Sequence, residues 1–315
     1  MIYLRFTQPR TDPTAFSVLQ GQLRPGMQLQ GANPAFVFSE TLTSALRQGH
    51  LRARRPTAEQ LDQWNLDKSV AFYKDRFADA SDFTFVFVGS FDLATMKPLV
   101  ERYLGGLPST GRKETWKDVG IRYPTGVVEK RVEKGVEPKS SAALVFTGEF
   151  EWSPPQRTVM RALGDVLEAR LREKLREDLG GTYSVGVSPG YAQIPVKEYE
   201  VNISFSCAPE RTEELVKATL SEIELLKADG PTAQQVSDVR EKLLRDFETN
   251  SKQNLYWAQQ LTLKAQFGET PDSLFGQADL YRALTPGLIQ AAAKRYLNPS
   301  NMVKVTLFPE KKSNP

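Results

Sequence analysis

The stretch LREDLGGTYSV, residues 175–185, carries two side chains that can hold a peptide by hydrogen bonds. Arg176 and Tyr183 lie seven positions apart, on either side of two glycines. Apolar residues before the glycines recur at spacings of three and four and predict a helix that ends at Gly180, whereas the residues from Tyr183 onward predict a strand. At such a junction a guanidinium and a phenol hydroxyl can bind peptide carbonyl oxygens or the oxyanion of a tetrahedral intermediate.

A purely structural interpretation explains the same residues. Gly180 or Gly181 supplies the left-handed residue that ends a helix, and Arg176 lies in the last turn, where a cation complements the helix dipole. Glu168, Arg172 and Arg176 follow one another at one-turn spacing, which is typical of stabilising pairs on a helix surface. The residues by themselves leave both interpretations open.

One histidine and one cysteine restrict the chemistry of this chain. Two-histidine metal sites and histidine-pair proton relays need a second histidine, and the sequence has only His50, in RQGHLRARR. A single cysteine excludes an internal disulfide and a cysteine-based zinc site, and Cys207 lies in an alternating apolar run that predicts a small core residue. We therefore predict a loop position for His50 and no metal site in this chain.

The 315 residues are enough for two domains, and their composition is that of an ordinary globular protein. Apolar residues make up 40% and charged residues 25%, and no apolar stretch is long enough to span a bilayer. The formal net charge is +3, and the densest basic cluster, Arg52, Arg54 and Arg55, is typical of a solvated loop. We expect no nucleic-acid partner and no membrane span, and the N-terminus has no secretory signal pattern.

Periodicity and turn residues divide the chain into helices and strands. Predicted helices follow Pro13 and cover residues 34–48, 67–77, 93–104, 154–180, 209–228, 232–248, 254–267 and 286–297. Predicted strands cover residues 2–6, 83–88, 127–133, 142–146, 183–187, 199–205 and 303–307. Residues 106–126 are rich in glycine, proline and charge, which predicts a linker between two domains.

Two pairs of segments predict an internal repeat. RFADASDFTFVFVG from Arg76 aligns without gaps to RYLNPSNMVKVTLF from Arg295, and IYLRFTQPRTDPTAF from Ile2 resembles VNISFSCAPERTEEL from Val201. In this alignment the counterpart of residues 127–200 is missing in front of Met1. Because a half-built sheet exposes an unpaired edge and apolar surface, we expect this chain to be a C-terminal piece of a longer protein or to complete its first domain on a partner.

The run from Leu175 and Arg176 through LGGTY to Tyr183, at the foot of a long helix, resembles the C-terminal half of the insulinase/pitrilysin family of zinc metallopeptidases. The stretches YKDRFADASDFTFVFVGSFD and KRYLNPSNMVKVTLFP extend the likeness over essentially the whole chain. The resemblance implies an α+β fold of two related α/β-sandwich domains, each with a mixed, mostly antiparallel sheet packed by helices. Residues 1–108 would be a third peptidase-like domain truncated at its N-terminus, 109–126 a linker, 127–310 a complete fourth domain and 311–315 a tail.

The same resemblance implies a function in peptide hydrolysis. In this family two halves close around an extended peptide, and the first half holds zinc by an inverted His-x-x-Glu-His motif, which this sequence lacks. Arg176 and Tyr183 match the family's substrate-holding pair. Tyr183 would donate to the carbonyl beside the scissile bond or to its oxyanion, and Arg176 would position Tyr183 or the peptide. One departure from the family pattern is the double glycine before Thr182.

The resemblance thus implies a zinc metallopeptidase of which this chain is the substrate-binding half, inactive by itself. Zinc would be held by an N-terminal half, in the same polypeptide or in a partner chain, and the other partner would be a peptide substrate. Bacterial relatives imply a periplasmic location. The alternative is a non-catalytic scaffold or partner subunit of the same fold. A small-molecule enzyme is disfavoured, because the sequence shows no phosphate loop, cofactor fingerprint or nucleophile motif.

Overall fold

The computed structural model describes residues 1–182 and 184–311, which form a mixture of helices and strands. The described α-helices are, in chain order, α1 (Ile2–Thr7), α2 (Pro13–Leu29), α3 (Pro34–Leu46), α4 (Leu66–Arg76), α5 (Leu93–Tyr103), α6 (Pro154–Leu171), α7 (Thr212–Asp229), α8 (Ala233–Asn250), α9 (Asn254–Phe267), α10 (Gln277–Arg282) and α11 (Pro286–Tyr296). The described strands are β1 (Val127–Glu133), β2 (Ser140–Glu149), β3 (Val185–Ala192), β4 (Glu198–Cys207) and β5 (Met302–Phe308). A π-helix, Arg172–Asp178, continues α6. None of the described helices is both long and apolar enough to cross a membrane.

The strands form one sheet in the order β1-β5-β2-β4-β3. β1 and β5 pair in parallel, whereas the pairs β5 with β2, β2 with β4, and β4 with β3 are antiparallel. The predicted α+β fold with a mixed, mostly antiparallel sheet packed by helices is therefore confirmed. Because side chains alternate along each strand, the two faces of the sheet meet different surroundings.

One face of the sheet packs against α6, α7 and α11 and forms the main core. Leu144 of β2 and Ile203 of β4 have no exposed surface and belong to the same apolar cluster as Leu163 and Leu167 of α6. The apolar spacing of three and four that predicted this helix corresponds to its buried face. The core thus fixes both the helix that precedes Arg176 and the strands beside it.

The opposite face of the sheet is apolar at one side and polar at the other. On the β1 and β5 side, Val303 and Val305 form a second apolar cluster with Leu46 of α3. On β4, alternate residues are buried in the main core, so the intervening side chains point to the opposite face. Those intervening residues are all polar: Glu198, Glu200, Asn202, Ser204 and Ser206.

The chain divides into two compact units. The first comprises Met1–Leu29, Pro56–Lys117 and Asn250–Asp272. The second comprises Gln30–Arg55, Asp118–Thr249 and the described residues from Ser273 onward, and it contains all the strands listed above. The domain boundaries expected from the sequence, with a linker at 109–126, separate two related stretches of sequence. The two compact units are instead defined by which residues contact one another. The expected domain boundaries stay a prediction.

Two strand predictions made from the sequence are wrong. Residues 2–6 lie in α1, and residues 83–88 lie in no strand. Both stretches have the apolar, β-branched and aromatic residues of a strand, but a strand also needs a neighbour for its backbone hydrogen bonds. α1 satisfies its own backbone instead, with Gln8 N donating to Leu4 O at 2.8 Å, and it has no buried residue.

Candidate substrate-contact site

Arg176 lies on the widened final turns of the long helix. α6 continues as the π-helix, after which Leu179 N donates to Lys174 O at 3.2 Å, five residues back. π-Helical turns are rare and are frequently found at functional sites. The Arg176 side chain is exposed, and no ion pair of Arg176 is found within residues 1–182 and 184–311. Its guanidinium can therefore bind a ligand without breaking an ion pair with any of these described residues.

The two glycines after the π-helix serve different purposes. Gly180 has φ +56°, in the left-handed region, and a Cβ there would meet no atom within 4 Å. Gly181 is required by packing, because a Cβ would lie 2.6 Å from Cδ2 of Leu215, a fully buried residue of α7. The double glycine, which departs from the family pattern, thus ends the helix with its first member and brings the chain against α7 with its second.

Thr182 fixes the chain immediately before Tyr183. Its side chain is buried, and its hydroxyl lies 2.7 Å from Ser206 O of β4 and 2.8 Å from Ser184 O, donating to one of them at a time. Ser184 N donates back to Thr182 Oγ1 at 3.3 Å, and β3 begins at the next residue. Tyr183 itself lies outside the described residues. Its role and its place relative to Arg176 stay predictions.

An open cavity of about 430 Å³ lies beside this segment. Its lining residues are Phe38, Ser141, Ala142, Ser184, Val185, Gly186, Ser204, Phe205 and Ser206. The hydroxyls of Ser141 and Ser206 are 3.0 Å apart and share a hydrogen bond. Serine hydroxyls both donate and accept, so this wall can bind the carbonyl or the amide group of an extended peptide.

β3 is an edge strand whose outer backbone groups are blocked at two positions. Val187 N donates to Glu168 Oε2 of α6 at 3.3 Å, which shows that this amide points away from β4. Pro189, two residues further and therefore on the same side, has no N–H. Glu168 Oε1 accepts from Arg172 at 2.7 Å, and this pair holds the carboxylate over the edge. The edge therefore offers fewer donors than an ordinary edge strand.

A polar cluster on the opposite face of the sheet was missed in the sequence analysis. Arg47 pairs with Glu198 at 3.3 Å, and Tyr123 OH donates to Glu200 at 2.8 Å. Arg47 also donates to the Tyr123 hydroxyl at 3.1 Å, and its guanidinium lies over that ring. Burial raises the pKa of Tyr123 and the pKa of Glu198. In the sequence, the one sign of this cluster is the i, i+2 spacing of Glu198 and Glu200, which places both side chains on the same face of a strand. The sequence does not reveal their partners, because these lie 151 and 77 positions away.

The single histidine and the single cysteine are both engaged with other groups. His50 Nδ1 accepts from Arg52 N at 3.2 Å, and its Nε2 lies 3.0 Å from Val119 O, to which only a protonated nitrogen can donate. Cys207 is buried with its sulfur 3.5 Å from Thr212 Oγ1, and burial raises the pKa of its thiol. In the part of the chain that the structure describes, no group of three or more His, Cys, Asp and Glu side chains could hold a metal ion. His50, Cys207 and the other described side chains therefore do not provide a ligand set that fits zinc.

Solved structures of M16 peptidases have the same fold. The structure of the periplasmic protease PqqL from Escherichia coli matches with a TM-score of 0.83 at 21% identity, over 95% of this chain and 33% of that chain. The structure of a peptidase M16 inactive domain from Pseudomonas fluorescens matches with a TM-score of 0.79 at 18% identity, over 98% and 73% of the two chains. The chain therefore has the fold of these peptidase structures.

The chain belongs to the peptidase M16 inactive-domain family, because that family model matches residues 63–243, more than half of its length. The probable zinc protease PqqL of Haemophilus influenzae is 26% identical over 256 residues, covering 78% of this chain. A zinc protease PQQL-like protein of Arabidopsis thaliana is 27% identical over 252 residues, covering 73%. The resemblance to the C-terminal half of a zinc metallopeptidase is confirmed, and the chain spans 26% of the length of each of these two relatives.

Proposed function

We propose that this chain is the substrate-binding, zinc-free C-terminal part of a zinc-dependent metalloendopeptidase that hydrolyses peptides inside a clamshell chamber. The observation that carries the proposal is the match to the peptidase M16 inactive domain across residues 63–243, which span both Arg176 and Tyr183. Curated relatives that cover 73% and 78% of the chain are named as zinc proteases. These names support zinc-dependent peptide hydrolysis as the class of reaction. The residues of this chain support its role in binding the substrate.

Arg176 and Tyr183 are the residues that contact the peptide in this proposal. The exposed guanidinium of Arg176, which has no ion pair with residues 1–182 and 184–311, positions Tyr183 or the peptide. Thr182, whose hydroxyl lies within hydrogen-bond distance of Ser206 O of β4, and Ser184, directly before β3, flank position 183 in the chain. A fixed donor that binds the oxyanion of the tetrahedral intermediate lowers the barrier by about 3 kcal/mol.

The serine-lined cavity supports a further role as chamber wall. Its hydroxyl groups lie on the polar part of the sheet face, next to the segment that carries Tyr183. Hydroxyl groups recognise peptide carbonyl and amide groups, which every residue of a substrate has, rather than particular side chains. Such a wall suits a chamber that accepts peptides of varied sequence.

Zinc belongs to the N-terminal half in this proposal, in the same polypeptide or in a partner chain. His50 uses both ring nitrogens for backbone contacts and Cys207 is buried, so neither is available as a ligand. The PqqL protease of Escherichia coli is described as periplasmic, and we propose the same compartment for this chain. Fractionation of cells, with a periplasmic and a cytoplasmic marker, tests the compartment.

Peptide hydrolysis by the complete enzyme tests the two site residues. Tyr183→Phe keeps the ring and removes the hydroxyl, and we expect kcat/KM to fall by about 100-fold. Arg176→Ala is expected to lower kcat/KM as well. Lys174→Ala is the matched control, because Lys174 lies on the same π-helix and is accounted for by its pair with Asp178 at 3.1 Å. Unchanged kinetics for Tyr183→Phe would remove the site assignment.

The isolated chain provides a second test. Residues 1–315 by themselves are expected to hydrolyse no peptide and to bind no stoichiometric zinc. A fluorogenic peptide assay and calorimetric titration with zinc measure the two properties. Peptide hydrolysis or stoichiometric zinc binding by the isolated chain contradicts the assignment of zinc to another half.

A non-catalytic scaffold is the second candidate, and the description of the family as an inactive domain favours it. The two candidates differ in the polypeptide that accompanies this chain in the cell. A companion sequence with the His-x-x-Glu-His motif supports the peptidase, and a companion without it supports the scaffold. Purification of the chain with its natural partner, followed by sequencing of that partner, decides between them.

A further inference from the structure

The polar cluster on the face of the sheet opposite the main core, which we call the Glu200 cluster, consists of Arg47, Tyr123, Glu198 and Glu200. Its two carboxylates share one guanidinium, because Arg47 pairs with Glu198 at 3.3 Å and no ion pair of Glu200 is found within residues 1–182 and 184–311. Glu200 accepts instead from the Tyr123 hydroxyl at 2.8 Å, and burial raises the pKa of Tyr123, so that this donor stays neutral. The cluster therefore carries one more negative charge than positive charge.

Arg122 does not correct this imbalance, although it lowers the pKa of Glu198 through its charge. Both of its terminal nitrogens bind Asp118, one of them at 2.9 Å. Glu200 is half-buried, and a carboxylate that has lost part of its water without gaining a cation is unfavourable. A bound cation would therefore stabilise Glu200.

The Glu200 side chain lies over β3, where Gly190 makes room for it. Gly190 faces Glu200 in the β3–β4 ladder, and a Cβ at position 190 would lie 3.2 Å from Glu200 Cγ and 3.4 Å from Oε1. Oε2 accepts from Tyr123, whereas Oε1 has no hydrogen-bond partner within residues 1–182 and 184–311. The oxygen that lacks a partner is thus the one that lies over β3.

Small residues form the floor beside Glu200. Every second residue of β3 faces the same side as Glu200, because the residues between them face the main core. None of these is larger than serine: Gly186, Ser188, Gly190 and Ala192. A Cβ at Gly186 would come within 4 Å of only one atom, Ser204 Oγ at 3.9 Å, so open space lies above this part of the strand. The four residues are the floor of a groove, the β3 trough, that leads from the serine-lined cavity to Glu200.

Asn202 lies on the same face of β4, between Glu200 and the serine-lined cavity. Its Oδ1 is buried and has no hydrogen-bond partner among the described residues. Buried polar atoms are nearly always paired, so this oxygen marks a place where a donor is missing. In the ladder Asn202 faces Ser188 of the trough floor. Glu200 thus lacks a positive charge and Asn202 lacks a donor, two residues apart on one face of the strand.

We infer that the β3 trough binds an arginine side chain of the peptide substrate, with the guanidinium at Glu200 Oε1 and Asn202 Oδ1. A guanidinium carries a permanent positive charge and several N–H donors in one plane, so one group can supply both missing partners. A lysine ammonium supplies the charge but not the planar arrangement of donors. The inference rests on the proposed function, because it assigns a specificity to the same peptide site.

The strand geometry sets the distance between this arginine and the reacting bond. Ser184, which follows Tyr183 in the chain, and Gly190 are 190 − 184 = 6 residues apart, which is about 20 Å in a strand. An extended peptide on the trough covers that distance with about six residues. We therefore expect an arginine to favour a peptide when it lies about six residues from the bond that is cleaved, on one side of that bond only.

A neutral analogue of arginine tests the role of charge in the unmodified protein. Dye-labelled peptides with one arginine are compared with peptides in which citrulline, which has nearly the same shape without the charge, takes its place. The natural protein, treated with a chelator to prevent hydrolysis, is titrated with each peptide, and fluorescence anisotropy measures binding. We expect the arginine peptides to bind about tenfold more tightly, because only they bring the charge that Glu200 lacks, and the difference to shrink as salt is added. Equal affinity of the two peptides overturns the inference.

Glu200→Gln removes the charge and keeps an oxygen that can accept from Tyr123. In this variant we expect the arginine and citrulline peptides to bind with affinities equal to within about twofold. Glu129→Gln is the matched control, because it removes the same charge from β1, where Glu129 pairs with Lys304 at 2.9 Å. The preference for arginine is expected to persist in the control. A preference that survives Glu200→Gln overturns the inference.

Asn202→Ala tests the second contact. Citrulline also has N–H donors, so the loss of Oδ1 is expected to weaken the binding of both peptides by about threefold. The preference for arginine over citrulline is expected to remain, because Glu200 keeps its charge. Unchanged binding of both peptides overturns the assignment of Asn202 to the site.

Hydrolysis by the natural protein tests the position of the arginine. The measured quantity is kcat/KM for a series of peptides in which one arginine moves stepwise along the sequence. We expect a maximum about six residues from the cleaved bond. The gain is expected in KM rather than in kcat, because a remote contact is made equally in the ground state and in the transition state. The same kcat/KM at every position overturns the placement of arginine in the trough.

The arginine site and the proposed peptidase function fail in different ways. If the natural protein prefers arginine in binding but hydrolyses none of the peptides, the proposed function is wrong and the site stands. If it hydrolyses the peptides but binds arginine and citrulline peptides equally, the site is wrong and the proposed function stands.

Discussion

Substitution of Gly181 by alanine tests how the segment before Tyr183 is packed. A Cβ at position 181 would lie 2.6 Å from Cδ2 and 3.0 Å from Cδ1 of Leu215, whose side chain has no exposed surface. Real Cβ atoms essentially never show a contact as short as 2.6 Å, so Leu215 or the chain at position 181 must move. Overpacking of this kind costs about 1–3 kcal/mol, and we expect Gly181→Ala to lower the free energy of unfolding by that amount.

A double-mutant cycle identifies the cause of the loss. Leu215→Ala alone removes buried methyl groups and is expected to cost about 2–5 kcal/mol. In that background a Cβ at position 181 enters space that Leu215 has left, so Gly181→Ala is expected to cost less than about 0.5 kcal/mol there. The two substitutions are therefore coupled by about 1–3 kcal/mol, and the double variant is more stable than the sum of the single losses predicts.

Urea unfolding followed by circular dichroism gives the free energies of the four proteins. Gly180→Ala is the matched control, because position 180 has open space for a Cβ but a φ of +56°. Its cost of about 1 kcal/mol comes from the backbone and is expected to be the same with and without Leu215→Ala. Equal costs of Gly181→Ala in the two backgrounds would refute the packing argument.

Three further predictions concern the elements around this segment. Gly164→Ala is expected to lower the free energy of unfolding by about 1–3 kcal/mol, because a Cβ would lie 2.8 Å from the rigid ring of Pro189; a gain in stability in urea contradicts this. Glu168→Ala is expected to speed hydrogen exchange at Val187 by about tenfold, whereas Glu168→Gln, which keeps an acceptor oxygen, changes it little; equal rates in both variants mean that the carboxylate does not protect the amide. Burial raises the pKa of Tyr199 from 10.0 to about 12, so the folded state favours the neutral phenol. Its contribution to stability is complete below pH 10 and is lost between pH 10 and 12, and Tyr199→Phe is expected to reduce the slope of unfolding free energy against pH in this range; an unchanged slope counts against the shift.

Many helices and strands in both units were predicted from local sequence patterns. The predicted strand at residues 127–133 coincides with β1, and the predicted helix at residues 254–267 coincides with α9 of the first unit. Arg176 was likewise identified from residue type and from its place before two glycines, and the structure describes it as exposed at the end of that helix.

Features that depend on distant partners could not be predicted in this way. The strand propensity of residues 2–6 and 83–88 is a local property, whereas pairing requires a neighbour that the local sequence does not specify. The hydrogen bond from Thr182 to Ser206 O and the bond from Val187 N to Glu168 join residues 24 and 19 positions apart. The π-helical continuation of α6 changes the hydrogen-bond spacing without a characteristic residue, so the pattern of a regular helix concealed it.

The blocked edge of β3 has a consequence for a protein that is proposed to bind extended peptides. An edge strand with free backbone groups can pair with an extended peptide, and repeated pairing of this kind builds cross-β fibrils. With Glu168 bound to Val187 N and a proline ring at position 189, growth of the sheet in this direction is obstructed. An extended chain therefore finds no free N–H at positions 187 and 189 with which to pair as a further strand.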